Sequence, residues 1–103
     1  MSQKVFAGTT VDVNEEGYMT DSTQWTKEIA KEIATEENID LTDKHLAVCE
    51  FLRDKQSKGE NITIRSVGNS GIIDIKGFYQ LFPGAPMKKA AKIAGIPKPA
   101  SCV

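Results

Sequence analysis

The sequence predicts an α+β fold: a small N-terminal antiparallel β-meander or hairpin packed on about five short helices, with a flexible C-terminal arm. Three observations predict it. β-branched residues lie at Val5-Phe6 and alternate along Thr10-Val11-Asp12-Val13, with Gly8-Thr9 between the two runs, which reads as a short hairpin. From Trp25 to Phe82, apolar residues recur instead at spacings of three and four, the mark of helices with one buried face. The last nine residues carry Pro97 and Pro99, which fix φ and withhold two backbone donors, so neither helix nor ladder runs through them. Residues 1–94 are therefore read as one globular domain and residues 95–103 as the arm.

Taken in order, Asn14-Glu15-Glu16-Gly17 is a turn, and Tyr18-Met19 is a candidate third strand. So small a sheet needs helices packed on it. Asp21 or Ser22 caps a helix predicted to run to about Glu37, with Trp25, Ile29, Ala30 and Ile33 on its stripe. Trp25 is read as a core anchor. Thr42 and Asp43 start a second helix, which Gly59 stops near Lys58. Its stripe is His45, Val48, Cys49 and Leu52. Cys49 there reads as a small buried hydrophobe with an inert thiol, and His45 as a neutral hydrogen-bonding partner. Ile62-Thr63-Ile64-Arg65-Ser66-Val67 alternates like a strand. Asp74 caps a helix through Ile75, Phe78, Tyr79 and Phe82, which Pro83-Gly84-Ala85 breaks. Pro86 opens a last helix to Ala94, closed by Gly95, and its three alanines keep it slim.

Composition excludes several classes. The 103 residues are 40% hydrophobic and 26% charged, the balance of a single soluble domain. No apolar run reaches membrane-spanning length, and Met1-Ser2-Gln3-Lys4 opens no signal peptide, so a cytoplasmic location is expected. Two cysteines and one histidine are too few for a zinc site or a disulfide framework, and no phosphate-binding glycine loop is present, so neither metal nor cofactor is expected. The formal net charge of −1 hides an asymmetry. Acidic residues crowd the first half, whereas after Lys76 only Lys88, Lys89, Lys92 and Lys98 are charged.

The thiol with a chemical reading is Cys102. A Pro-x-Pro spacer is stiff, and seven steps from Gly95 in polyproline geometry reach roughly 20 Å, enough to deliver one sulfur atom into a cleft on another protein. A cysteine near a chain end can also be incidental. The segment Leu81-Phe82-Pro83-Gly84-Ala85-Pro86, with Ala94-Gly95-Ile96-Pro97-Lys98-Pro99-Ala100-Ser101-Cys102-Val103, resembles the C-terminus of the DsrC/TusE family. Weaker matches extend to Glu16-Gly17-Tyr18, Trp25, Leu41-Thr42 with His45, and Phe51-Leu52-Arg53-Asp54. Two departures stand out: Ser101 where the family has glycine, and Leu46 where a tryptophan usually follows the histidine.

The resemblance implies a short helix rather than a strand around Arg65, and the helix is the expectation adopted. It implies a sulfur carrier, persulfidated on Cys102, that works with sulfur-donor and sulfur-acceptor proteins rather than as a full catalyst. Arg65, Lys88, Lys92 and Lys98 are candidates for electrostatic help or docking. In relatives of the DsrC kind a second cysteine stands eleven positions before the penultimate one. That position is Ala91 here, so no intramolecular disulfide is available at it, and the chain looks closer to the TusE kind, which is implied to relay sulfur toward tRNA thiolation; other single-cysteine relatives are implied to relay sulfur beside sulfur-oxidising systems. Docking on dissimilatory sulfite reductase as a gamma subunit is an alternative. A reading of another class is a small nucleic-acid-binding regulator, with Lys88, Lys89 and Lys92 on phosphates and Arg65 on a base; the acidic net charge weighs against it.

Overall fold

The structure is a computed structural model, and it describes residues 2–98. Strands β1 (Ser2–Phe6) and β2 (Thr9–Val13) form an antiparallel hairpin in which Phe6 faces Thr9 and Ser2 faces Val13. The loop is only Ala7 and Gly8, both at positive φ (51° and 76°), as a turn matched to strand twist requires. Phe6, Val11 and Val13 turn inward, while Val5 points to solvent. The expected third strand is reduced to a single bridge between Val13 and Met19. Its neighbours go elsewhere: Asn14 closes a turn by accepting from the Glu16 and Tyr18 amides through Oδ1.

The helix expected from Asp21 to Glu37 is two elements. Asp21 caps one 3-10 turn, Ser22–Gln24, then Trp25 takes an extended conformation and Thr26 caps α1 (Lys27–Glu36) by accepting from the Ile29 amide. Two capping residues five positions apart compete, and the second wins the longer helix. Trp25 is thereby removed from the helical stripe and stands half-buried at the side of the core.

α2 (Asp43–Ser57) begins as expected at Thr42, in a reciprocal box: the His45 amide points at Thr42 Oγ1, and His45 Nδ1 accepts from the Thr42 amide at 3.0 Å. His45 Nε2 then donates to Leu81 O at 2.9 Å, which fixes the ring's tautomer and ties α2 to the end of α4. The alternation at 62–67 gives no strand. Thr63 and Ser66 cap each other's amides and start α3 (Ile64–Gly68), leaving Ile62 and Val67 buried. α4 (Ile75–Leu81) starts at Asp74, and α5 (Pro86–Ile93) at Pro86, which has no amide for a cap to satisfy.

α5 is the central element. It packs against α1, α2 and α4, and Met87, Ala90, Ala91, Ile93 and Ala94 are fully buried. Phe78 and Phe82 meet edge to face beneath it, with His45 against Phe82. Because α5 runs through the core, its C-terminal end fixes the place from which the arm leaves.

Candidate functional site at the exit of the C-terminal segment

A helix ends with four carbonyls that lack intrahelical donors. At the end of α5 each of the last four, from Ala91 to Ala94, finds one. Gly95 sits at φ +70° and turns the chain back, so its amide reaches Lys92 O at 3.3 Å and the Ile96 amide reaches Ala91 O at 3.2 Å. This is a Schellman closure, and Ile96 completes it by burying its side chain. The other two carbonyls are met by side chains from distant elements. Trp25 Nε1 donates to Ile93 O at 2.8 Å, and one Arg53 guanidinium nitrogen donates to Ala94 O at 3.0 Å.

Arg53 does more than cap. Its second terminal nitrogen donates to Ser22 O at 2.9 Å, and its guanidinium lies over the Trp25 ring, 4.4 Å from the centroid. Loss of water around the stacked group draws the guanidinium below its ordinary pKa, although arginine stays charged. Trp25 closes the other side. A Cβ at Gly95 would stand 2.9 Å from Trp25 Cγ and 3.0 Å from Met19 Sδ, so only glycine fits.

The lysines of α5 are spread along it: Lys88 and Lys89 follow its start, and Lys92 lies in its last turn. Lys92 Nζ is 3.9 Å from Glu37 and packs against Gly17, while Lys88 is exposed and its carbonyl accepts from the Tyr18 hydroxyl at 3.2 Å. Lys98 pairs with Glu16 at 3.0 Å, holding the first residues of the C-terminal segment to the turn after β2. Lys88 lies about one turn earlier on α5, and Lys92 and Lys98 are brought to the exit. Arg65 is not. It is exposed on α3, which packs on α4. Cys102 lies outside the described residues.

Cys49 is fully buried on α2, and burial pushes its thiol up to about 12, with Arg53 opposing and Glu50 adding to the shift. Such a thiol holds its proton and does not attack. Ala91 is equally buried, with its carbonyl engaged by Ile96. Among the described residues no group of three or more His, Cys, Asp and Glu is suited to a metal ion, and no helix is long and apolar enough to cross a membrane.

Sequence reading named Trp25 and Arg53 only as points of family likeness, and Trp25 as core. The structure makes them caps of α5. Gly95 after a lysine-bearing helix was a visible sign that orphan carbonyls lay there. Which side chains met them depended on contacts 41 and 68 residues apart in the chain.

Comparison with known proteins agrees with this geometry over nearly the full length. A family model described as "DsrC like protein" matches residues 5–103. "Sulfurtransferase TusE" of Escherichia coli (strain K12) is 35% identical over 108 aligned positions, covering 96% of this chain and 98% of the relative. Among solved structures, a chain in the crystal structure of dissimilatory sulfite reductase I superposes with a TM-score of 0.85 at 32% identity, over 99% of this chain and 100% of that one. The oxidized gamma-subunit of the dissimilatory sulfite reductase (DsrC) from Archaeoglobus fulgidus gives 0.82 at 29% identity, over 99% and 100%.

Proposed function

From the premise that this chain belongs to the DsrC-like protein family, we propose that it is a sulfur-relay carrier whose working group is Cys102. The observation that carries the proposal is end-to-end similarity to a sulfurtransferase in a chain whose other cysteine, Cys49, is sealed in the core. The Cys102 thiolate attacks the outer sulfur of a donor persulfide. A new S–S bond forms on Cys102, the donor's S–S bond breaks, and the donor leaves as a thiolate. The same exchange in the opposite sense hands the sulfur to an acceptor thiol, so no external oxidant or reductant enters.

The partners are a sulfur-donor protein and a sulfur-acceptor protein, and the setting proposed is the cytoplasm. Ala91 favours a one-thiol relay of the kind that feeds tRNA thiolation over a cycle through two cysteines. Docking on a sulfite reductase is the second reading, and the likeness to chains from that enzyme supports it. Lys88, exposed near the start of α5, supplies positive charge for docking; Lys92 and Lys98 are already balanced in part by Glu37 and Glu16. Arg65, exposed on a different helix, belongs to docking rather than to the thiol.

Intact-protein mass after incubation with inorganic polysulfide, followed by peptide mapping, tests the proposal. Sulfur added on Cys102, lost in Cys102→Ser and retained in Cys49→Ser, is the expected result. Sulfur confined to Cys49, or absent from the wild-type chain, would overturn it.

A further inference from the structure

We infer that Trp25 and Arg53 are positioning residues of the relay: they set the direction in which the thiol-bearing segment leaves the domain. The inference rests on the carrier reading and adds to it the groups that aim the carrier. A relay thiol must meet the reactive sulfur of another protein, so the path of its segment matters as much as its reactivity.

The geometry points to these two residues because each holds the exit at a backbone atom. Trp25 Nε1 and the Arg53 fork take the carbonyls of Ile93 and Ala94, the last two before the turn at Gly95. The second arm of the fork takes Ser22 O, so the segment is tied through one rigid planar group to the turn that precedes α1. The stacking of the guanidinium on the indole limits rotation of both side chains. Trp25 also fills the space beside Gly95, which leaves the chain one way to turn. A lysine at position 53 keeps charge but lacks the planar fork, and so loses one of the two carbonyls and the stack. A phenylalanine at position 25 keeps the ring and loses the bond to Ile93 O.

The test compares a small donor with a large one. Wild type, Arg53→Lys and Trp25→Phe are loaded on Cys102 from inorganic polysulfide, and separately from a rhodanese carrying a persulfide formed from thiosulfate. The expected result is loading from polysulfide within about twofold of wild type, and a loss of roughly tenfold or more in kcat/KM from the protein donor. Cooperative thermal unfolding is checked alongside.

Equal loss with both donors would assign the residues a purely structural role and overturn the inference. Unchanged transfer from the protein donor would overturn it too. Should either exchange prevent folding, two glycines inserted between Pro97 and Lys98 ask the same question in an otherwise native chain; retained protein-donor transfer would then count against an aimed exit. Failure of wild-type Cys102 to accept sulfur from polysulfide would instead sink the carrier reading, which keeps the two failures distinct.

Discussion

At the scale of the residue, the two cysteines differ by environment. Cys49 lies in apolar surroundings on α2, where a charged thiolate would lose its solvation. Its ordinary pKa is 9.0, and in the folded chain it rises to about 12. Between these values the unfolded chain loses a proton that the folded chain keeps. The contribution to stability is therefore full below the unfolded value and falls as pH rises toward 12. Urea denaturation of wild type and Cys49→Ala from pH 8 to 11 is expected to show a steeper decline in wild type. Parallel profiles would mean that the thiol titrates alike in both states.

The inert character of Cys49 was legible from its place on an apolar stripe. The role of Trp25 was not, because its four-residue spacing from Ile29 mimicked a core position on the helix. What decided its fate was Thr26, a cap strong enough to start the helix one residue after it.

At the scale of the element, the end of α5 depends on a backbone conformation that side chains disfavour. Gly95→Ala adds a methyl group at positive φ and drives it toward Trp25 and Met19. The left-handed conformation costs about 1–2 kcal/mol and overpacking about 1–3 kcal/mol, so a loss of roughly 2–5 kcal/mol in unfolding free energy is expected. Equilibrium urea denaturation measures it, and a loss below about 1 kcal/mol would show that the exit tolerates another turn.

Helix starts and stops were largely readable, since Thr42, Asp74, Pro86 and Gly95 act through neighbours in sequence. The alternation at 62–67 misleads for the same local reason. Thr63 and Ser66 satisfy each other's amides within four residues, whereas a strand there would depend on pairing with a distant element.

At the scale of the whole molecule, the core closes only with a residue from the segment read as an arm. Ile96 is buried to 1% exposure, beyond the last helix and one residue before the first proline of the Pro-x-Pro pair. Ile96→Ala is expected to cost about 2–5 kcal/mol, as for other buried large-to-small changes. The loss should appear at one denaturant midpoint by both far-UV circular dichroism and tryptophan fluorescence. Separate midpoints would show that the exit melts on its own. Sequence could place the break at Gly95. It could not show that Ile96 folds back, because that contact joins the chain's end to elements formed far earlier.

The stacked pair at the exit has one more consequence. Trp25 is the chain's sole tryptophan, and it sits under a guanidinium with its indole N–H on the last turn of α5. The protein therefore carries its own optical gauge at the point where the segment departs. A partner that tugs Gly95–Lys98 away from the body would hydrate the indole and shift its emission to the red, so engagement can be followed in native protein, in real time, without a dye.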